Sequence, residues 1–440
     1  MKIVVSKFGG SSLAYSDTYK KVYDIIKSSP DRKFIVASAP GKVSSNDTKI
    51  TDLLYLAYDL ASHKINYTEI LESIENKYRE IVSTLNIDFD IDMELKKLNN
   101  DLSSSVTKEY MASRGEYINA KILASYLGYK FMDAKDLIFF DREGNFLDEK
   151  SYISIYKLRE SGDSYVIPGF YGEDEDGNIR TFSRGGGDLT GSIIASGLKA
   201  NLYENWTDVS GFMSADPTIV KDPRHIEIIT YRELRELSYA GASILHEEAI
   251  LPVSKAGIPV VIKNTFAPQD EGTLILPDDS KKLSKNDRGV TGIAGRKNFT
   301  VINIEKTKMN KDKGFHRKLM SVLEVNNVPL EHMPSSIDSV SLIIADKYLT
   351  GHTDSLVSEI KSFVRPDKIK ITKGIALISV VGRGMIRHVG ASAKLFKALA
   401  ENNVNIQMII QGSSEMNIIV GIDENDFAKA INSIYSEFLA

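Results

Sequence analysis

The 440 residues contain no cysteine, which removes disulfides, thiolate metal sites and thiol nucleophiles from consideration. Histidine is scarce, with seven copies at His63, His225, His246, His316, His332, His352 and His388. None of these has HExxH or other ligand spacing, so no zinc site is expected. Long apolar runs are missing too: Ile3-Val4-Val5 is a strand's length, too short for a signal-peptide core, and no stretch of about 18 apolar residues follows. No membrane partner is expected, and the cytoplasm is the expected location. There is no Lys/Arg block and the formal net charge is -4, so nucleic acid is not an expected partner.

What is present is a globular composition on a chain too long for one core, so two or three domains are expected. Residues 2–8 and 33–38 are short, β-branched and bounded by Gly, Ser or Pro, as buried parallel strands are. Between them Tyr19, Val22, Tyr23, Ile25 and Ile26 recur at helical spacing, which makes a βαβ opening. The pattern is helical from about 50 to 128. Strands return at Phe131-Met132, Val166-Ile167, Leu202-Tyr203 and Val260-Val261-Ile262. Residues 1–263 therefore read as an open α/β sandwich, and 264–288, with Pro268, Gly272 and Pro277, as a linker.

From 289 to 440 a shorter unit is repeated. Strand 299–305, helix 313–326, strands 328–333 and 339–345 and helix 353–363 are echoed by strand 375–381, helix 390–402, strands 405–410 and 416–421 and helix 424–438. Lys368–Ile371 offers the first copy a fourth strand, and an orphan strand, Val290–Ala294, can supply the second. The expectation is two ferredoxin-like βαββαβ modules, the first, about 305–372, inserted in the second, about 289–304 plus 373–440.

Two glycine motifs sit where a strand ends and a helix begins. Lys7-Phe8-Gly9-Gly10-Ser11-Ser12 lets backbone N–H groups approach an anion beside a mobile positive charge; it is neither GxxxxGK[ST] nor GxGxxG. In Ser183-Arg184-Gly185-Gly186-Gly187-Asp188-Leu189-Thr190-Gly191, an arginine fork able to grip carboxylate or phosphate and an acid bracket three glycines. Arg114-Gly115-Glu116 reads as a helix start with an exposed salt bridge. The segment from Trp206 through Thr207 and Asp208 to Asp216-Pro217 follows a strand, and Trp206 reads as core.

KFGGSS, the serine-rich end of the second strand, RGE, SRGGGD and WTDVSGFMSADP, in this order and spacing, resemble the aspartate kinase branch of the amino acid kinase family, and the paired C-terminal units resemble its ACT modules. The resemblance spans nearly the whole chain. It implies phosphoryl transfer from ATP, with Mg²⁺, to the side-chain carboxylate of aspartate, the first step of lysine, threonine and methionine biosynthesis. Lys7, Gly9 and Gly10 with Ser11 would hold the transferred phosphoryl group, and Asp188 would organise the lysine and the reacting centre. Ser38, Thr51, Glu116, Arg184 and Gly185-Gly186-Gly187 would hold aspartate, with Glu116 on its ammonium and Arg184 on its α-carboxylate. Thr207, Asp208 and Asp216 would line the nucleotide pocket. Two cations of many relatives are replaced here, by Thr218 and Ser243, and Lys221, Arg224 or Lys263 are the candidates to substitute.

In the first C-terminal unit, Met309, Asp312, Gly314, Phe315 and His316, with Leu330, Glu331, Ser335 and Ser336, resemble an effector pocket for lysine, with threonine the alternative. Glu331 is the expected partner of a lysine ε-ammonium. The chain leaves no room for a fused homoserine dehydrogenase, so a monofunctional enzyme is expected, as a homodimer or homotetramer. The competing readings are a kinase acting on glutamate or N-acetylglutamate, and a non-catalytic amino-acid sensor.

Overall fold

The computed structural model describes the chain apart from residues 1, 45–46, 105, 184, 243–244, 246, 281–282, 284–288, 387 and 440. The chain divides into two compact units. One comprises residues 1–212, 225–234 and 243–283; the other comprises 213–224, 235–242 and 284–440. The second unit thus takes in two short pieces that the sequence pattern placed with the first. The reason is apolar: Ala215 and Val220 are buried in one core with Val290, Ile293, Ile378 and Val420.

The first unit is built on an eight-stranded sheet. Its order is Ile228–Thr230, Thr273–Leu276, Val260–Asn264, Leu202–Thr207, Val4–Phe8, Arg32–Ala37, Tyr165–Pro168 and Lys130–Phe131. The central strands are parallel, and Thr273–Leu276 runs against Val260–Asn264. Val4–Phe8 is buried at all five positions, as a strand covered on both faces must be. Residues 50–128, helical in the sequence pattern, form four helices, Ile50–Ser62, Thr68–Leu85, Ile91–Leu102 and Lys108–Leu127. The last starts at Thr107, whose hydroxyl accepts from the Tyr110 amide, and stops at Gly128 with φ 67°, the left-handed turn that glycine adopts without strain. Arg114-Gly115-Glu116 lies inside this helix rather than at its start, and Arg114 is buried, without a salt bridge among the described residues.

Within the central strands lies a largely buried ion pair. Arg32 donates to both carboxylate oxygens of Glu204, at 2.8 and 3.0 Å, and Ser6 and Trp206 Nε1 donate to the same carboxylate at 2.8 and 3.0 Å. Three neighbouring strands are tied together by this one group. Trp206, read as core from the sequence, is buried.

The second unit carries one five-stranded antiparallel sheet, ordered Ser339–Ala345, Gly292–Glu305, Lys368–Val381, Asn417–Asp423 and Ile406–Ile410. Four helices, Phe315–Val325, Thr353–Val364, Ala391–Glu401 and Phe427–Phe438, accompany it. The two repeats share strands: Gly292–Arg296 pairs with Val381–Leu377, and after a register shift Phe299–Glu305 pairs with Ile375–Lys368. The orphan strand of the sequence pattern and the first strand of the first repeat are therefore one strand. The expected strand 328–333 is absent. Only isolated bridges at His332 and Ser335 form there, because Pro329 and Pro334 cannot donate to a ladder.

Glu204→Ala strips the partly buried Arg32 of its carboxylate, leaving the guanidinium only the Ile25 carbonyl and Ser28 hydroxyl as acceptors, a change expected to cost about 2–3 kcal/mol, below the roughly 3–5 kcal/mol of a fully buried pair. Denaturant unfolding followed by the fluorescence of Trp206, the only tryptophan, reports on this unit. The expected result is a midpoint shift of that size, and a loss below about 1 kcal/mol shows that the pair does not brace the strands.

Candidate active site

Lys7 is the fourth residue of Val4–Phe8, and Asp188 lies in the first turn of the helix Gly186–Gly197. Their side chains meet at 2.6 Å, 9% and 22% exposed. Asn205, on the neighbouring strand, donates to Asp188 Oδ1 at 3.0 Å, and Tyr203 donates to the Asp188 carbonyl at 3.1 Å. Asp188 is thus oriented from two sides, with Lys7 held at the strand end. The helix behind it begins after Gly185, whose φ of 77° admits a glycine readily and other residues with strain. A second close approach occurs at Gly41, where a Cβ would stand 2.5 Å from the carbonyl carbon of Gly10. The turn after the second strand and the Gly9-Gly10 turn are therefore packed backbone to backbone, with the Gly41 amide donating to Gly10 O at 2.9 Å.

These pieces enclose a cleft of about 600 Å³ in the first unit. Lys7, Gly9, Gly10, Ser11, Ser38, Thr51, Glu116, Gly185, Gly186, Gly187, Asp188, Thr207 and Asp208 all line it. Ser38 begins the turn after the second strand, where Asn119 donates to its carbonyl, and Thr51 lies in the first turn of Ile50–Ser62. Thr207 ends its strand and donates to Asp208 at 3.2 Å. Arg184 lies outside the described residues, as does Ser243. Asp216 belongs to the second unit, where it accepts from the Thr218 amide and hydroxyl.

Glu116 is the most informative wall residue. It is 7% exposed, and its Oε2 has no hydrogen-bond partner among the described residues. Burial pushes its carboxyl up to about 8, only partly offset by the Ala39 backbone amide and the charge of Arg114. An unpaired buried acceptor carries a desolvation cost, and among the described residues nothing donates to Oε2 on this wall of the cleft.

The cleft also contains residues that the motifs did not indicate: Lys42, Lys49, Asp52 and Phe170. Lys42 and Lys49 are exposed and sit on the loop after the second strand. Lys77 anchors that loop, donating to Gly41 O at 2.7 Å and to Asp47 at 2.8 Å. The signal available in the sequence was Pro40-Gly41-Lys42 directly after a strand. Of the proposed substitute cations, Lys263 donates to the Asp270 carbonyl and lies over the Trp206 ring, while Lys221 and Arg224 belong to the second unit.

In the second unit, Met309, Phe315 and Leu330 join one apolar core. Asp312 pairs with Lys306 at 2.6 Å, which holds its carboxyl below the usual range, and Gly314, with φ 87°, precedes the helix that begins at Phe315 and His316. Glu331 pairs with Arg296 at 2.9 Å, so its carboxylate already has a cation. The Ser336 amide donates to Ser339 O, and Ser335 bridges to Val340.

The model of the amino acid kinase family matches residues 2–264, and that of an ACT domain matches 378–438. Aspartokinase 3 of Bacillus subtilis is 40% identical over 458 positions, covering 100% of this chain and 99% of that protein. The crystal structure of the Clostridium acetobutylicum aspartate kinase matches with a TM-score of 0.92 and 52% identity over 100% of both chains. E. coli aspartokinase III, solved with aspartate and ADP, shares the fold with a TM-score of 0.76 and 23% identity over 100% of both chains. The chain belongs to the amino acid kinase family, to its aspartokinase branch with C-terminal ACT domains, and is an ATP-dependent kinase.

The raised Glu116 carboxyl has a testable sign. Unfolded, the group titrates near 4.5; folded, near 8. Between those values the folded state binds the extra proton, so the group's contribution to stability falls as pH rises and reaches its full cost above about 8. Glu116→Gln removes the titration. In the ligand-free protein the variant is expected to gain stability relative to wild type progressively from pH 5 to 8, measured by thermal unfolding in matched buffers. A wild-type-minus-variant difference that is flat with pH rules out the buried carboxyl.

Proposed function

We propose that the cleft transfers the γ-phosphoryl group of ATP to the β-carboxylate of aspartate. The observation that carries this reading is Glu116, a buried carboxylate short of a partner, in the same cleft as a Lys7–Asp188 pair flanked by two glycine turns. An α-ammonium on Glu116 supplies the missing charge and lowers the cost of ionising the group. The β-carboxylate of aspartate is already anionic at neutral pH, so no general base is needed. In-line positioning and charge neutralisation remain, and Lys7 with the Gly10 and Ser11 amides supplies them on the phosphoryl side, while the Gly9 amide donates to Trp206 O at 3.0 Å and shapes the turn. Asp188 restrains Lys7, while Lys42 and Lys49 add positive charge at the rim. Arg184 is assigned to the α-carboxylate, Ser38, Thr51 and the Gly185–Gly187 backbone to the remainder of aspartate, and Thr207 and Asp208 to the nucleotide. Mg²⁺ fits here as a partner of the nucleotide phosphates, near the carboxylates of Asp188 or Asp208, and supplies neutralisation of phosphate charge.

A coupled assay for ADP with aspartate, glutamate and N-acetylglutamate as acceptors tests the assignment: turnover with aspartate alone is expected, and preference for either other acceptor overturns it. Lys7→Ala is expected to lower kcat by orders of magnitude with the fold intact, because the charge acts in the transition state. Near-normal turnover removes Lys7 from the chemistry. The KM for aspartate is expected to fall from pH 6 to 8 and level off above, since ammonium binding must expel the Glu116 proton below about 8.

We assign the ACT region to feedback inhibition by an end-product amino acid, lysine, in a homodimer or homotetramer in the cytoplasm. Effector coupling is reciprocal and typically about 1–3 kcal/mol. For lysine to reach Glu331, the carboxylate must share or exchange Arg296, so Glu331→Ala is expected to blunt lysine inhibition and spare uninhibited kcat. Calorimetric titration checks this: no lysine heat with wild type, or equal affinity in both proteins, shows the site or its ligand to be misassigned, and heat with threonine instead changes the ligand.

A further inference from the structure

Arg114 is 6% exposed, yet no acidic side chain among the described residues lies within ion-pair distance of it. Its Nε–H and one Nη2–H reach Ser113 Oγ at 3.2 and 2.9 Å, with Tyr110 O at 3.4 Å from Nε. The rest of the guanidinium fork finds no acceptor among the described residues. What holds the charge is aromatic: the guanidinium carbon stands 4.3 Å from the ring centres of both Tyr110 and Tyr117 and 5.6 Å from that of Tyr171. Ring faces attract a cation but accept no conventional hydrogen bond, and a buried guanidinium without a counter-ion is costly.

The side chain lines a cavity of about 300 Å³ that shares no lining residue with the cleft. Lys97 and Lys135 add two further cations to its wall, and Asp133 and Glu173 add two acids. Asp133 already accepts from the Tyr171 hydroxyl at 2.6 Å; among the described residues, the Glu173 carboxylate has no ion-pair partner. A phosphate dianion would meet Arg114 at the expense of facing both acids. A molecule that carries a carboxylate and an ammonium a few ångströms apart satisfies both signs.

We propose that this cavity is a second binding site for a small zwitterionic α-amino acid, its carboxylate on the Arg114 fork and its ammonium on Glu173 with Asp133. The fork suits a carboxylate, which it can grip through two parallel N–H groups. Arg114 and Glu116 stand two residues apart on one helix, so occupancy places a negative charge close behind the cleft's own carboxyl. The site does not depend on which acceptor the cleft phosphorylates.

The test uses the full-length protein with ¹⁵N-labelled arginine, following the Arg114 Nε–H resonance, assigned by its loss in Arg114→Lys. Glycine, acetate and inorganic phosphate are the probes. Saturable movement with glycine is expected, at lower concentration than with acetate, and least response with phosphate. Glu173→Gln keeps the arginine and the aromatic box; it is expected to weaken glycine about tenfold, the loss of one charge-assisted contact, and to leave acetate unchanged or tighter. A resonance that glycine does not move, one that phosphate moves more than glycine, or a glycine affinity unaltered in Glu173→Gln each overturns the proposal.

Discussion

Lys7 and Asp188 are separated by most of the first unit's sequence, and their 2.6 Å contact requires the rest of the sheet to be in register. Lys7 can reach that point only because its strand is paired on both sides, with Val36 opposite on one flank and Asn205 on the other. Asn205 is also the residue that donates to Asp188, so the pairing that positions the lysine positions the acid's orienting group. Arg32 and Glu204 lock the same three strands from within. Since a one-residue slip turns every side chain to the opposite face, the ion pair and the register are a single constraint.

Glu116 shows what such a frame permits. A carboxyl this deeply buried, with one oxygen unpartnered among the described residues, is destabilising in a ligand-free protein, and it stays there because helix Lys108–Leu127 is buried along much of its circumference. Gly115 beside it lets the helix approach the Ala39 turn, where a larger residue would press on the Ala39 Cβ at 3.0 Å. The helix therefore fixes the acid at the cleft wall before any ligand arrives, which reduces the ordering left for binding to accomplish.

Much of this was legible in the sequence, for identifiable reasons. Strand ends and glycine turns are written locally, so KFGGSS and the three glycines before Asp188 could be placed from spacing alone, and the structure gathers them with Ser38, Thr51 and Glu116 around one cleft. The repeat of short elements after residue 289 was equally visible. What escaped depends on distant parts of the chain. Lys42 and Lys49 enter the cleft because Lys77, some thirty residues on, anchors their loop. Arg114 looked like a surface charge because nothing local announces that Tyr171 will close over it. Glu331 looked available for an ammonium because Arg296 lies on a strand whose continuity across both repeats is set by pairing.

That shared pair of long strands has a consequence for how the second unit is made. Gly292–Glu305 can be covered on one side by Ser339–Ala345 soon after synthesis, but its partner Lys368–Val381 is itself completed only by Asn417–Asp423, close to the end of the chain. Contacts so far apart in sequence are slow to form, and neither repeat owns its central strand outright. The two repeats should therefore gain and lose order together, as one cooperative block whose edges stay exposed until the last strands have been translated.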